Sequence, residues 1–168
     1  MNKMKLLRCI AYSLEILLAF LWQVTPGLLP EVYGGKAVLL VPVALTIAVF
    51  ESDITAMVFG VVCGLLTDCS YSGPIGFYVI LLTISCFVIS SLYENYVRKC
   101  LMTAMLMAFA AIPVIFVLQF LFYYVFAGYP DGWTFFVRHY ISRIIYTLAM
   151  TPVFYGLHRL IGTKLRQR

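Results

Sequence analysis

The stretch LMTAMLMAFAAIPVIFVLQFLFYYVFA, Leu101 to Ala127, runs without one charged residue. About 20 consecutive apolar residues cross the roughly 30 Å of bilayer hydrocarbon at helical rise. The stretch therefore predicts a membrane-spanning helix, and the rest of the chain repeats its pattern. Hydrophobic residues make up 63% of the 168 and charged residues 11%, against about 25% charged in a soluble domain. A water-soluble globule is excluded. The 12 Lys+Arg and 7 Asp+Glu gather in short clusters between apolar runs. Six spans of about 20 residues leave about 48 positions over, too few and too scattered for an aqueous domain.

The expected architecture is an all-α integral membrane protein of six transmembrane helices, one polytopic domain over 1–168. The spans fall at about 6–25, 37–50, 54–70, 75–92, 101–127 and 140–161. The first follows Lys3, Lys5 and Arg8 but has no small-residue cleavage site and is interrupted by Glu15, so it reads as uncleaved. The second is the weakest: Ala37 to Phe50 covers only about 21 Å at helical rise. Pro42 is expected to kink it, with neighbouring helices satisfying the freed carbonyl. Ser52 or Asp53 then N-caps the third helix. The sequence Ser70-Tyr71-Ser72-Gly73-Pro74 turns the chain between spans three and four.

Lys and Arg counts set the orientation. With the N-terminus inside, nine of the twelve (Lys3, Lys5, Arg8, Arg98, Lys99, Arg159, Lys164, Arg166, Arg168) lie on the inner face. This predicts N-in and C-in, both termini cytoplasmic. Trp22, Tyr123, Tyr124, Tyr129 and Trp133 fall at outer ends, as an aromatic belt does.

Few polar residues remain to carry chemistry. Glu15 sits about 13 Å into the first span, where an ionised group costs on the order of 2.5–3.5 kcal/mol on insertion scales. It reads either as a proton or cation site or as a packing hydrogen bond to Gln23, Gln119 or a hydroxyl. Asp68 and Arg143 share an outer depth, which predicts a salt bridge clamping spans three and six; a ligand-binding Asp68 is the functional counterpart. Gly60 and Gly64 form a GxxxG that permits close helix approach, with Cys86/Ser90 and Ala104/Ala108 repeating the small-xxx-small spacing. Gly73 and Gly76 read as turn residues. His158 and Arg159, like His139 beside Arg138, read as headgroup anchors. The five cysteines form no C-x-x-C pair and read as small packing residues. No P-loop, G-x-S-x-G, paired-carboxylate or metal-spaced cluster occurs, so neither an enzyme nor a cofactor or metal is expected. The basic residues flank spans rather than forming a patch, and nucleic acid is set aside.

Gly64-Leu65-Leu66-Thr67-Asp68, the Ser/Gly-rich turn through Gly73 to Gly76 and the apolar span that follows resemble the segment that marks the rod shape-determining protein MreD family. The six-span plan, the basic tail and Pro152-Val153-Phe154-Tyr155-Gly156-Leu157 are similar too. The resemblance implies a non-enzymatic protein of the bacterial plasma (inner) membrane, part of the cell-elongation machinery. Its implied partners are MreC, MreB, the peptidoglycan polymerase and transpeptidase of that complex, and membrane lipids. Glu15 and Arg143 do not map onto a family motif. In architecture the family resembles the six-helix substrate-binding components of energy-coupling-factor vitamin transporters. That gives the alternative function, capture of a small molecule in an outward-facing cavity near Asp68 and Arg143. The A-x-x-x-A pattern expected on their first helix is absent, since Ala11 and Ala19 are eight apart.

Overall fold

A computed structural model describes residues 3–25, 27, 37–70, 76–96, 100–122 and 140–166. Within them the chain is all-helical: α1 Lys3–Val24, α2 Leu40–Phe50, α3 Asp53–Ser70, α4 Phe77–Asn95, α5 Leu101–Phe120 and α6 Ile141–Arg166. Helices α1, α3, α4 and α5 are each long and apolar enough to cross a membrane. The protein is thus a helical membrane protein. The end of span five beyond residue 122, Gly73, Arg98, Lys99, Arg138, His139 and Trp133 lie outside the described residues.

The shortest helix is the centre of the bundle. Helix α2 has 11 residues, or about 16 Å of length, and every residue from Leu40 to Val49 is buried. It touches all five other helices. The sequence explains this: LVPVALTIAVF is apolar all round apart from one threonine, and a helix without a polar face buries every side. Enclosure also removes the length problem of span 37–50. A helix that meets protein on all sides need not match the bilayer thickness.

Such a helix must still satisfy its ends without water. Side chains from three neighbours do so. The Val38 N–H donates to Thr147 Oγ1 of α6 at 3.4 Å, and the Leu40 N–H to Gln23 Oε1 of α1 at 3.3 Å. At the other end the Ser90 hydroxyl of α4 donates to the Glu51 carbonyl at 3.0 Å. Cys86 Sγ, one turn away on α4, donates to the Ala44 carbonyl at 3.5 Å. Pro42 does not kink α2. It occupies the first turn, where its missing N–H would have had no intrahelical partner, and its carbonyl accepts Thr46 Oγ1 at 2.6 Å.

Helices α3 and α4 form the most intimate pair. Ala56, Gly60, Gly64 and Asp68 recur every four residues and are all buried, so they line one face of α3. A Cβ on Gly64 would stand 2.5 Å from Val79 Cα and 2.9 Å from the Tyr78 carbonyl oxygen. On Gly60 it would meet Leu82, Thr83 and Cys86 at 3.1–3.2 Å. The GxxxG therefore serves packing inside the chain. Ser52 precedes α3, its carbonyl accepting the Ala56 N–H at 2.9 Å and its hydroxyl lying 3.2 Å from that of Thr55.

Away from this interior the helices are apolar outward. Leu14 and Leu17 of α1, Val58 of α3, Ile84 of α4, Phe109 of α5 and Ile145 of α6 are all exposed, as lipid-facing side chains are.

Candidate functional site

Two polar constellations interrupt the apolar interior. The first lies where α3 hands over to α4. Gly76, in the left-handed region at φ 108°, starts α4 and carries no side chain to cap it. Asp68, one turn beyond Gly64 on α3, supplies the cap from across the hairpin. Its Oδ2 accepts the Gly76 N–H at 2.8 Å and the Val79 N–H at 3.4 Å, and its Oδ1 accepts the Tyr78 N–H at 3.1 Å. Asp68 is 5% exposed, and a carboxylate at a helix N-terminus meets both the orphan N–H groups and the positive end of the dipole. The Gly64 contact makes this possible by bringing the α4 backbone against α3. From the next residue but one, the Tyr78 hydroxyl donates to Gln119 Oε1 of α5 at 2.6 Å, which extends the network to a third helix.

The expected Asp68–Arg143 salt bridge is not made. Asp68 is spent on backbone N–H groups, and the Arg143 guanidinium carbon lies 5.9 Å from the Phe116 ring centroid, a cation–π distance. The Arg143 carbonyl accepts Thr147 Oγ1 at 2.7 Å. In a medium without water, unsatisfied helix-terminal N–H groups compete for a carboxylate as strongly as a cation does.

The second constellation joins α1 to α6 and α2. Glu15 Oε2 lies 2.8 Å from His158 Nε2, and His158 is fully buried. The Tyr12 ring packs edge-on against both His158, with centroids 5.2 Å apart, and Phe59, at 5.8 Å. One turn below, Arg8 bridges Glu51 at 3.2 Å. Arg8, Tyr12, Glu15, Ala19 and Gln23 follow a three-to-four spacing, so α1 turns one polar stripe inward and a leucine-rich face outward. Glu15 has neither Gln23 nor Gln119 as partner among the described residues; it lies against His158, and the Gln23 amide nitrogen is buried without a hydrogen bond. His158 is not a headgroup anchor. Its neighbours on α6, Thr147, Thr151 and Tyr155, are buried with it, and their spacing defines a polar stripe that sequence reading missed.

The remaining sequence-derived residues fall as follows. Pro152 lies within α6 and is half-buried. Cys63 and Cys86 are buried as packing residues, but Cys69 and Cys100 are exposed. Cys100 is the N-cap of α5 and shares a reciprocal capping box with Thr103. Among the described residues no group of three His, Cys, Asp or Glu could hold a metal ion. Three carboxylates meet other helices: Asp68 caps α4, Glu15 lies against His158 of α6, and Glu51 pairs with Arg8 of α1.

These features coincide with what comparison shows. The model of the rod shape-determining protein MreD family matches residues 3–161, a range that includes the α3–α4 hairpin and both partners of the Glu15–His158 pair. No curated protein and no solved structure matches the chain, so the likeness to vitamin-transporter components has no support, and Asp68, committed to the α4 N-terminus, is not presented to a ligand. The chain belongs to the MreD family and is a shape-determining membrane protein.

Proposed function

We propose that this protein is a non-enzymatic component of the bacterial cell-elongation machinery. It spans the plasma membrane six times with both termini in the cytoplasm, binds MreC, and helps couple MreB to the peptidoglycan polymerase and transpeptidase that build the lateral wall. The family match across residues 3–161 carries the reading.

The geometry supports it in two ways. Arg8–Glu51 at one end and Gln23–Leu40 at the other tie α1 and α2 side by side in opposite directions, as alternating spans require. The Asp68 carboxylate and the carboxamide oxygens of Gln119 and Gln23 accept hydrogen bonds inside the bundle, while apolar faces are turned outward. Such a molecule acts by presenting helix surfaces to other membrane helices, where close packing decides pairing.

Depletion from the native bacterium tests the reading. Cells are expected to widen and round, and re-expression to restore rods. Unchanged width and unchanged sidewall incorporation of labelled peptidoglycan precursor would overturn it.

A further inference from the structure

Glu15 stands midway along the apolar stretch Leu7–Val24, and the imidazole that meets it is wholly enclosed. Oε2 lies 2.8 Å from His158 Nε2, with the glutamate side chain 13% exposed and the histidine side chain 0%. Neither Glu15 oxygen and neither His158 nitrogen has a hydrogen bond to any other group among the described residues. The two ionisable groups are left to satisfy each other.

The surroundings do not neutralise the pair. Arg8 of α1 is already bridged to Glu51, after α2, at 3.2 Å, so those two charges cancel. Tyr12 of α1 packs edge-on against His158, and the Phe50 ring of α2 lies 6.3 Å from it. Cys63 of α3 is within electrostatic reach of Glu15, Tyr155 precedes His158 by one turn of α6, and Arg159 is exposed. Helices α2 and α5 carry no titratable side chain. Phenols and thiols stay neutral below about pH 8, so the charge at this place depends on one proton. With it the pair is neutral overall, either as carboxylic acid beside imidazole or as carboxylate beside imidazolium. Without it a carboxylate stands uncompensated in an apolar interior, which is costly.

One cost opposes that proton. In either neutral form His158 also carries hydrogen on Nδ1, which is buried without an acceptor among the described residues, and an orphaned N–H is penalised. When the proton leaves, the remaining hydrogen can sit on Nε2, facing Oε2, and Nδ1 becomes a bare lone pair. Charge favours the proton and the orphaned N–H disfavours it, so the proton is exchangeable. The partial exposure of Glu15 gives it a route that His158 lacks. We propose that Glu15 and His158 form a proton-binding site inside the bundle, and that its occupancy sets how firmly α1 is held to α6. Uptake joins one proton from water to a Glu15 carboxylate and a neutral His158, and release returns it. The proposal is independent of which proteins the chain binds.

The test is the pH dependence of reversible unfolding of the full-length protein in mixed micelles, between about pH 6.5 and about pH 8. In the unfolded, hydrated chain both side chains lack the proton over most of this range. The folded state then binds more protons than the unfolded one, so stability falls as pH rises. The wild-type folding constant is expected to drop by a factor approaching about tenfold per pH unit, the linkage of one proton. Glu15→Gln leaves His158 a polar neighbour but removes the carboxylate, and its folding constant should be flat over the same range. A flat wild type overturns the proposal, as does a slope that Glu15→Gln retains. Nitrogen NMR of histidine-labelled protein reads the site with Glu15 in place, so the proposal stays testable if that variant does not fold. With His139→Gln removing the second histidine signal, His158 Nδ1 should carry hydrogen at about pH 7. A bare Nδ1 there overturns the proposal.

Discussion

His158 Nε2 and Glu15 Oε2 stand 2.8 Å apart, across the seam between α6 and α1. In lipid, apolar contact gives helices no hydrophobic reason to associate, so packing and such polar ties decide whether α1 stays docked. Replacing either residue by Ala should therefore loosen α1. A double-mutant cycle over Glu15→Ala and His158→Ala, read by unfolding in mixed micelles, should show coupling of about 1 kcal/mol or more. Additive losses would mean the pair makes no contact in the membrane.

Asp68 caps α4, and Asn ranks with Asp at such positions. Asp68→Asn should retain most of the stability that Asp68→Ala loses, the alanine variant costing about 1–2 kcal/mol. A salt bridge to Arg143 would make the two variants equally damaging. Thermal melts of the purified variants separate the readings.

The two glycines of α3 should differ in tolerance. A methyl on Gly64 meets α4 backbone at 2.5 Å, which cannot give way without parting the hairpin, whereas one on Gly60 meets atoms at 3.1–3.2 Å. Gly64→Ala is expected to cost about 2–3 kcal/mol or to abolish folded yield, and Gly60→Ala about 1 kcal/mol or less. Equal melting temperatures would contradict the close approach.

The proposed topology of six spans with both termini cytoplasmic predicts the behaviour of a reporter active only outside the cytoplasm. Inserted near Asp131 it should be active, and fused after Arg168 it should be silent. An active fusion at the tail would remove one crossing, and α2 is the helix that would fail to make it.

The sequence announced its helices and its family because both are written locally. Apolar run length gives a span, and Gly64 to Gly76 carries glycines and an aspartate whose spacing is needed by one hairpin. Pairing across the bundle was less legible. Asp68 was matched to Arg143 because linear position reveals depth but not direction around the helix axis, and the competing demand of the α4 N-terminus appears only when Gly76 is seen to offer no side-chain cap. His158 looked like an anchor because Arg159 follows it. Yet Thr147, Thr151, Tyr155 and His158 share one helical face, a polar stripe that periodicity could have revealed and that a residue-by-residue reading of depth hides. The role of α2 was hidden for another reason: burial on all sides depends on five neighbours whose placement no single segment encodes.

The central claim is that this protein works by holding membrane partners of the elongation machinery. Its most direct test is mild-detergent co-purification of the tagged chain from its native membrane, with mass spectrometry of what accompanies it. MreC and the wall-synthesis polymerase and transpeptidase should be recovered with the wild type, and MreC should be lost with Gly64→Leu, whose bulk parts the α3–α4 hairpin. A monodisperse wild-type protein that emerges without MreC or wall-synthesis enzymes would contradict it.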